Sequence, residues 1–378
     1  VSASKKFGPS SKVIGDTHKV ILTYRKLIAA SFILGNKIAK QTKHSERVGI
    51  LLPNMSGTVA VFFAMIAYGR TPALLNFSTG IKNMLSCCKA ATVKTVFTSK
   101  AFIDVADLHN LVKALEDVGI KIVYMESLRK SINSHNKFSG LLKSYFPLFY
   151  HNRYAISKGI SATSPAAVLF TSGSEGAPKG VVLSHKNIIS NLQQVVSRID
   201  ISSSDRLFNA LPMFHSFGLT AGTIMPLLSG VFTFLYPSPL HYRIIPEMIY
   251  ANNSTIFFGT DTFLSGYAKY AHPYDFFSVR YVCAGAEALR NETRKIWMDK
   301  FGIRVLEGYG ATEASPVISL NTPLHCKNGT AGRMLPSISW KIEPVEGIAS
   351  GGRLVISGPN VMLGYLKSDK PGVIEPPS

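Results

Sequence analysis

Residues 171–180 bring three hydroxyl side chains, three glycines and one lysine together in one short stretch. The apolar runs Ala166–Phe170 and Val181–Leu183 flank it and predict buried strands. Such a loop can turn tightly and present backbone N–H groups, hydroxyls and one positive charge to phosphate oxygens. The sequence therefore predicts a phosphate-binding loop. Its candidate residues are Thr171, Ser172, Gly173, Ser174, Gly176 and Lys179.

The loop does not match the Walker A pattern. That pattern places a glycine before the lysine and a serine or threonine after it. Here Pro178 precedes Lys179 and Gly180 follows it, so no hydroxyl is placed to hold Mg²⁺. A P-loop NTPase is therefore disfavoured. An ordinary Gly/Ser-rich hairpin has a similar composition, so the loop alone leaves that alternative open.

Four later segments add polar and glycine-rich strings in a defined order. They are Leu211–Gly218, Cys283–Ala288, Glu307–Glu313 and Gly351–Gly358, the last followed by Gly364-Tyr365. With the loop, they resemble the signature segments of the adenylate-forming superfamily, which includes acyl-CoA synthetases, luciferases and the adenylation domains of peptide synthetases. Five segments in the family's order are far more specific than one motif. The chain is thus identified as a member of that superfamily.

The resemblance implies an enzyme that uses ATP and Mg²⁺ to join a carboxylate to AMP, and then passes the acyl group to a thiol. Little covalent chemistry falls to the protein in such a reaction, so positioning and charge neutralisation dominate. By resemblance, Lys179 acts on the phosphates, Thr312 contacts the α-phosphate and Glu313 helps to hold Mg²⁺. The implied adenine slot lies between Tyr309 and the segment Gly285, Ala286 and Glu287, and Gly310 and Ala311 complete the nucleotide-binding residues.

His215 lies within the segment that resembles the family's acyl site. A single histidine in an apolar stretch is often a satisfied core group, and that alternative stays open. The resemblance favours a catalytic role in which His215 orients the reacting carboxylate. Amino-acid-activating members of that superfamily place an aspartate in this stretch to receive the substrate amine. Phe214–Phe217 contains none, so the resemblance implies a simple carboxylic acid. The apolar segment Phe257–Phe263 is expected to line the acyl pocket.

Positive charge is concentrated in the first part of the chain. The net charge is +19, of which residues 1–160 carry +16 and residues 161–378 carry +3. Such asymmetry indicates an acidic partner: anionic lipid, an acidic carrier protein or nucleic acid. A solvated basic surface is the alternative. The basic stretch Lys121–Lys158 contains interleaved aromatic residues, which suits a membrane interface. No nucleic-acid-binding motif accompanies it, so no nucleic-acid partner is expected.

Alternating strand and helix patterns predict an α/β fold. The resemblance implies the large N-terminal domain of the adenylate-forming fold: two mostly parallel sheets flanked by helices, with a small β-barrel-like subdomain after Ser315. The predicted units are a basic α/β subdomain at 1–160, a second α/β subdomain with the site at 161–315, and a small β subdomain at 316–378. The apolar stretch Leu207–Pro237 is interrupted by prolines and glycines, which favours a buried helix and strand over a membrane span.

The four cysteines show no metal-ligand spacing, and a reducing cytoplasmic compartment fits them best. The family follows Gly364-Tyr365 with a Thr-Gly-Asp segment, a hinge and a small C-terminal domain that carries a catalytic lysine. The chain reaches Ser378 without these features. The resemblance therefore implies that this chain holds the nucleotide site and lacks the C-terminal domain needed for full turnover.

A narrower resemblance rests on Phe258–Tyr267, Cys283–Glu287 and Val361–Tyr365. These segments are similar to the acyl–acyl-carrier-protein synthetase part of the bacterial 2-acylglycerophosphoethanolamine acyltransferases. That similarity implies fatty-acid transfer to acyl carrier protein, coupled to lysophospholipid reacylation at the cytoplasmic side of the inner membrane, where the chain would be peripheral or part of a longer membrane protein. An acyl-CoA synthetase is the first alternative. A non-catalytic lipid-binding module is the second, and Lys179, Thr312 and Glu313 argue against it.

Overall fold

The computed structural model describes residues 1–152, 159–171, 177–347 and 350–377. The strands in these ranges are β1 (Lys12–Asp16), β2 (Ile21–Thr23), β3 (Arg47–Leu51), β4 (Thr71–Leu74), β5 (Thr95–Thr98), β6 (Lys121–Tyr124), β7 (Pro165–Thr171), β8 (Lys179–Ser184), β9 (Arg206–Asn209), β10 (Phe232–Leu235), β11 (Ile256–Gly259), β12 (Tyr281–Ala284), β13 (Val305–Gly310), β14 (Val317–Leu320), β15 (Arg333–Met334), β16 (Ser339–Glu343), β17 (Arg353–Ser357), β18 (Gly364–Leu366) and β19 (Ile374–Glu375).

The helices connect and cover these strands. The α-helices are α1 (Ser2–Phe7), α2 (Tyr24–Ala39), α3 (Ser56–Ala67), α4 (Ile81–Ala90), α5 (Lys100–Val105), α6 (His109–Asp117), α7 (Met125–Lys130), α8 (Ser134–Tyr145), α9 (Pro147–Tyr150), α10 (His185–Val196), α11 (Met225–Ser229), α12 (Ile244–Ala251), α13 (Asp261–Tyr270) and α14 (Asn291–Phe301). A π-helix spans Phe217–Ile224, and short 3₁₀ helices span Pro273–Phe276 and Thr312–Ala314.

Two large sheets form the framework. The nine-stranded sheet has the order β15-β14-β13-β12-β11-β9-β10-β1-β2, and the eight-stranded sheet has the order β19-β18-β8-β7-β4-β3-β5-β6. In the first sheet the strands from β13 through to β1 pair in parallel, and in the second those from β7 through to β6 do so. Antiparallel strands extend the edges. The α/β prediction of two mostly parallel sheets is confirmed.

Alternation along the central strands fills a core on each face of each sheet. On β11, Phe257 packs with Tyr267 and Trp297 under the outer helices α13 and α14, whereas its neighbour Phe258 faces the space between the sheets. Helices α3 and α10 lie in that same space and share one continuous core with both sheets. Helices α4 and α6 cover the outer face of the eight-stranded sheet. The result is a layered arrangement in which helices alternate with sheets.

The stretch Leu207–Pro237 is more complex than the predicted helix and strand. It begins with β9, continues through the π-helix and α11, and ends with β10. The close approach of Gly218 and Gly222 to neighbouring atoms explains part of this geometry, because a Cβ at Gly222 would lie 2.6 Å from the Asn209 side chain. In the described part of the chain, no helix combines the length and the apolarity that crossing a bilayer requires.

The strands after Ser315 do not form the predicted β-barrel-like unit within the described residues. β14 and β15 extend the nine-stranded sheet, β18 and β19 extend the eight-stranded sheet, and only β16 and β17 pair separately as a two-stranded sheet. Both large sheets also combine strands from either side of residue 160, since β1 pairs with β10 and β4 pairs with β7. The domain boundaries at 160 and 315 stay predictions, but the sheets are not divided there.

Candidate active site

A cavity of about 1110 Å³ lies where the parallel strands of both sheets end. The residues that follow β3, β5, β9, β11 and β12 at their carboxyl ends all contribute to its wall; they are Pro53, Ser99, Leu211, Thr260 and Gly285. Open α/β sheets bind ligands at this edge, where loops can present polar groups. One cavity therefore receives residues from both sheets.

The cavity wall combines polar and apolar groups. Backbone and polar groups come from Gly285–Glu287 and Tyr309–Thr312. Apolar side chains come from several other segments and include Phe77, Phe102, Val195, Ile199, Met225, Phe258 and Phe263. A ligand that has both a polar and an apolar part fits such a wall.

The turn after β13 carries two of the predicted residues. Thr312 and Glu313 lie in the 3₁₀ helix Thr312–Ala314 between β13 and β14. The Thr312 hydroxyl is 3.3 Å from the hydroxyl of Ser216, which precedes the π-helix. Gly310 must be glycine in this conformation, because a Cβ there would lie 2.3 Å from the Pro316 carbonyl oxygen. The tight turn thus places the Thr312 hydroxyl at the cavity wall.

Tyr365 on β18 joins this turn to the base of the loop at 171–180. Its hydroxyl donates a 2.8 Å hydrogen bond to Glu313 Oε1, and Lys179 Nζ lies 5.7 Å from the centre of its ring. Burial, followed by the hydrogen bond to Glu313 and the charge of that carboxylate, raises the pKa of Tyr365 to about 12. The hydroxyl therefore keeps its proton at neutral pH and acts as the donor. Three side chains from distant parts of the chain meet here.

The polar face of α10 fixes the position of that turn. Asn191 is fully buried, and its amide both donates to the Val317 carbonyl and accepts from the Val317 N–H. Gln194 donates to the Pro336 carbonyl, and Asn187 donates to the carbonyls of Pro359 and Val361. The helix begins with a capping box in which Ser184 and Asn187 bond reciprocally. The side-chain amides of α10 thus form hydrogen bonds to three separate backbone segments, at Val317, at Pro336 and at Pro359–Val361.

The implied adenine slot is partly built by apolar packing. A Cβ at Gly285 would lie 3.2 Å from the ring of Phe217, which itself stacks on Phe258 with ring centroids 5.3 Å apart. Tyr309 is half exposed and lines the same cavity. The Glu287 carboxylate turns away to accept hydrogen bonds from the backbone N–H and hydroxyl of Thr262, at 2.9 and 2.8 Å. An aromatic ring and a flat backbone edge therefore both line this cavity.

His215 lies in the cavity wall, in the same segment as the lining residues Phe214 and Ser216. Its side chain is open to the cavity, yet protein atoms surround most of the ring, including Phe214 at a centroid distance of 4.7 Å. This burial lowers the pKa of His215 below its ordinary value, so the imidazole is neutral at pH 7. A neutral ring can donate one hydrogen bond and accept another. The position allows such a bond to a ligand in the cavity.

The predicted acyl-lining segment Phe257–Phe263 contributes three of its seven residues to the cavity wall. Phe258, Thr260 and Phe263 line the cavity. Phe257 does not, because alternation on β11 turns it to the outer face of the sheet, where it packs on Phe276 and Trp297. Only every second residue of the strand can face the cavity.

The structure brings most of the predicted site residues together. Those at the cavity wall are His215, Gly285, Ala286, Glu287, Tyr309, Gly310, Ala311 and Thr312. Glu313, Lys179 and Thr171 lie beside it, Glu313 in contact with Tyr365 and Thr171 opposite Lys179 in the β7–β8 pair. Ser172, Gly173, Ser174 and Gly176 lie outside the described residues. Their roles, like those of the other site residues, stay predictions.

Two residues escaped the sequence analysis. Ser216 contacts Thr312, and Tyr365 contacts Glu313. Both belong to segments that the sequence singled out, but neither was assigned to the site. Within each segment nothing in the spacing marks them, since their partners lie 96 and 52 residues away.

The residues present fit a Mg²⁺ ion that is held mainly by its substrate. The described residues contain no group of three or more His, Cys, Asp or Glu side chains that could hold a metal alone. Glu313 uses one carboxylate oxygen to accept from Tyr365, and the described residues provide no bond to the other. Mg²⁺ with one protein carboxylate, substrate phosphates and water is a common arrangement. Glu313 is the residue that would supply the carboxylate.

Comparison with known proteins identifies the family. A family model described as AMP-binding enzyme matches residues 4–366. A protein of Dictyostelium discoideum named "Probable 4-coumarate--CoA ligase 3" is 27% identical over 344 residues, which cover 87% of this chain and 62% of the relative. The long-chain-fatty-acid–CoA ligase of Salmonella typhimurium is 24% identical over 379 residues, covering 91% and 66%. The chain thus spans about 62% of the length of the first of these relatives.

Solved structures share the fold. The anthranilate CoA ligase AuaEII in complex with anthranoyl-AMP superposes with a TM-score of 0.79 at 18% identity, covering 97% of this chain and 70% of that one. The unliganded o-succinylbenzoate CoA synthetase MenE from Bacillus subtilis has a TM-score of 0.79 at 21% identity, covering 97% and 71%. At these identities the likeness concerns the fold alone.

Proposed function

This chain belongs to the AMP-binding enzyme family, and on that premise we propose that it activates a carboxylic acid with ATP. A carboxylate oxygen attacks the α-phosphorus, the bond between that phosphorus and the bridging oxygen breaks, and pyrophosphate leaves with the electron pair. The products are an acyl-adenylate and pyrophosphate. The observation that carries the proposal is the cavity whose wall brings Tyr309–Thr312 together with His215 and with many apolar side chains.

Each residue of the site has a separate role in this reaction. Tyr309 and the Gly285–Ala286 backbone hold the adenine between an aromatic face and a flat edge. Thr312 donates its hydroxyl to the α-phosphate, and Lys179 neutralises charge on the phosphates. His215 donates a hydrogen bond to the substrate carboxylate and orients it for attack. Mg²⁺, when bound at Glu313, supplies charge neutralisation on the phosphates.

We propose a fatty acid as the substrate. Among the described residues that line the cavity, Glu287 is the one Asp, Glu, Lys or Arg, and most of the others are apolar, so the wall favours a hydrocarbon chain over a polar one. The whole cavity has a volume of about 1110 Å³, slightly above the range of ordinary ligand pockets, which leaves room for a nucleotide and an acyl group together. The name of the Salmonella relative, a long-chain-fatty-acid ligase, supports this choice, while the coumarate ligases support an aryl acid as the alternative.

The acceptor of the acyl group is a thiol, and two acceptors are proposed. Acyl carrier protein, with the product used for lysophospholipid reacylation, follows from the narrower sequence resemblance and suits the +16 charge of residues 1–160. CoA follows from the names of the relatives. The same acyl-adenylate serves both, so the choice of acceptor does not change the first step.

The test is exchange of radiolabelled pyrophosphate into ATP, with fatty acids of increasing length and with 4-coumarate as the aryl comparison. Exchange that depends on a fatty acid and is lost in Glu313→Gln supports the proposal. Exchange with 4-coumarate alone would replace the fatty acid by an aryl acid. No exchange with any acid, from a protein that still binds ATP and also carries the C-terminal domain that the family resemblance implies, would contradict the reaction. Adding CoA or pantetheinylated acyl carrier protein and identifying the thioester then separates the acceptors.

A further inference from the structure

Helix α8 exposes its apolar side chains and buries its small ones. Phe138, Leu141, Leu142 and Tyr145 follow the spacing i, i+3, i+4 and i+7, so they form one stripe along the helix, and all four are exposed. The buried residues are Gly140 and Ser144. Gly140 lies against α2 so closely that a Cβ would be 2.3 Å from the Ile33 side chain. A helix that packed by an ordinary apolar face would show the reverse pattern.

The exposed stripe continues into α9. Seven apolar residues of α8, of α9 and of the junction at Phe146 are between 44% and 68% exposed, and we call them the α8–α9 apolar face: Phe138, Leu141, Leu142, Tyr145, Phe146, Leu148 and Phe149. Scattered single apolar residues are ordinary on a protein surface, but a contiguous group of this kind marks an interaction site.

Positively charged residues predominate in the helices that form and support this face, and Glu126 in the first turn of α7 is the acid that comes just before the stretch containing α8 and α9. Between Ser127 and Tyr150 the chain contains Arg129, Lys130, Lys137 and Lys143 and no acidic residue. The supporting helix α2 contributes Arg25, Lys26 and Lys37, again without an acid. The Arg25 guanidinium lies 4.2 Å from the centre of the Tyr145 ring, so cation and apolar face are in direct contact.

We propose that the α8–α9 apolar face docks on the surface of an anionic lipid bilayer, with α8 lying in the plane of the headgroups. Aromatic and leucine side chains would enter the boundary of the acyl chains while the lysines remain among anionic headgroups, which is the composition of interfacial helices. The 12 residues of α8 are about 18 Å long, too short to cross the hydrocarbon core. The proposal concerns a surface away from the cavity and does not depend on the reaction.

Charge complementarity selects an anionic partner, and the apolar face selects lipid among such partners. An acidic protein would neutralise the lysines, but it would need its own apolar groove to cover seven protruding side chains. A bilayer accepts them without a matching shape. Zwitterionic lipid offers the apolar contact without the attraction to the cations, so binding should depend on anionic headgroups.

The test is co-sedimentation of the 378-residue chain with vesicles of phosphatidylcholine alone or of equal parts phosphatidylcholine and phosphatidylglycerol, without ATP. The first variant carries Phe138→Ser with Phe149→Ser. Its matched control carries Phe277→Ser with Leu324→Ser, two exposed apolar residues of other segments. We expect the first pair to lower the partition coefficient on anionic vesicles about tenfold and the control pair to leave it within about twofold.

A second pair of variants tests the charges. Lys130→Gln with Lys137→Gln removes two cations near the face, and Lys82→Gln with Lys113→Gln removes two exposed cations of α4 and α6. Both change the net charge equally. Because a lysine near an anionic surface contributes roughly fivefold in binding, the first pair should weaken it about 20-fold and the second much less. Added salt should weaken wild-type binding and narrow this difference.

Several results would overturn the proposal. They are absence of binding to anionic vesicles, equal binding to both vesicle types, and equal effects of face and control variants. Conversion of a wild-type dimer to a monomer by Phe138→Ser with Phe149→Ser would assign the face to a second copy of the chain. Competition by acyl carrier protein without vesicle binding would assign it to that protein. Pyrophosphate exchange is measured without lipid, so either proposal can fail while the other stands.

Discussion

At the scale of single residues, one hydroxyl connects two parts of the site. Tyr365 donates to the Glu313 carboxylate while its ring lies next to Lys179, so the strand pairing of β18 with β8 sets the distance between a carboxylate and a cation. The raised pKa of Tyr365, about 12, keeps the hydroxyl a donor across the physiological range. Its place in the site follows from tertiary pairing and from no local pattern.

Replacing Tyr365 by phenylalanine should weaken Mg²⁺–ATP binding by about tenfold or more. The ring beside Lys179 is kept, and only the donor to Glu313 is lost. A hydrogen bond to a charged group contributes roughly 1.5–3 kcal/mol, and each 1.4 kcal/mol is tenfold in affinity. Titration calorimetry at pH 7 measures the effect.

Tyr24→Phe is the matched control. The Tyr24 hydroxyl is buried and donates to the Leu227 carbonyl, away from the cavity wall. Its loss should lower the free energy of unfolding by about 1 kcal/mol and leave the ATP affinity unchanged. Wild-type ATP affinity in Tyr365→Phe would show that the Glu313 carboxylate needs no such donor.

His215 should make the protein less stable as the pH falls below neutral. Burial lowers its pKa in the folded state, so the unfolded chain takes up a proton at a higher pH than the folded one. Stability from this group is therefore fully present above the ordinary histidine pKa, near 6.5, and is lost as the pH falls toward the lower folded pKa. His215→Gln should flatten the pH dependence of the urea midpoint between about pH 7 and 5.

Comparing wild type with His215→Gln isolates the contribution of His215. His151 and His185, whose pKa values are also lowered by burial, are present in both proteins. Parallel curves for wild type and variant would mean that His215 does not contribute to the acid sensitivity. If the urea midpoints of wild type and variant differed only below pH 5, carboxylates would be the groups whose titration is responsible.

At the scale of elements, sequence periodicity predicted the strands and helices whose apolar side is buried, and it missed the elements whose conformation depends on tertiary contacts. Strands β7 and β8 matched the predicted strands Ala166–Phe170 and Val181–Leu183 because their apolar side chains are buried. Helix α8 was not predicted: the sequence indicated only a basic stretch with interleaved aromatic residues suited to a membrane interface, and the apolar stripe of α8 is exposed. The π-helix Phe217–Ile224 likewise depends on the approach of Asn209, whose amide donates to the Gly218 carbonyl.

Asn191→Ala on α10 should destabilise the fold and the site together. It removes both hydrogen bonds to the Val317 backbone and leaves those buried groups without a partner, which costs roughly 1–3 kcal/mol. Val317 begins β14, next to the Thr312–Ala314 turn, so ATP affinity should also fall. Urea denaturation and calorimetry give the two quantities.

Ile188→Val on the same helix separates the loss of fold stability from the loss of ATP affinity. It shortens a buried apolar side chain and should cost about 0.5–1.5 kcal/mol without touching a hydrogen bond. ATP affinity should stay at the wild-type value once the protein is folded. If Asn191→Ala and Ile188→Val weakened ATP binding equally, the polar face of α10 would have a purely stabilising role.

At the scale of the whole molecule, each of the two large sheets contains strands from both the first and the second half of the chain. Residues 12–23 complete the edge of a sheet whose other strands come from residues 206–334, and residues 165–184 extend a sheet that begins at residue 47. The shared core between the sheets then includes α3 from the first half and α10 from the second. The sequence predicted two mostly parallel sheets, but the pairing of strands from either side of residue 160 depends on tertiary contacts that local periodicity does not encode.

This interlocking predicts that residues 1–160 do not fold alone. Expressed separately, they would leave β1 without β10 and β4 without β7, so two strands that are paired on both sides would become edges with apolar faces uncovered. We expect no cooperative urea transition by circular dichroism and strong binding of a hydrophobic dye. Co-expression with residues 161–378 is the control, since it restores every strand pair and should recover a single complex with a cooperative transition. A soluble 1–160 fragment that unfolds cooperatively would show instead that strands β3 to β6 of the eight-stranded sheet form a core of their own. The contacts between the two halves of the chain would then add to stability without being required for folding.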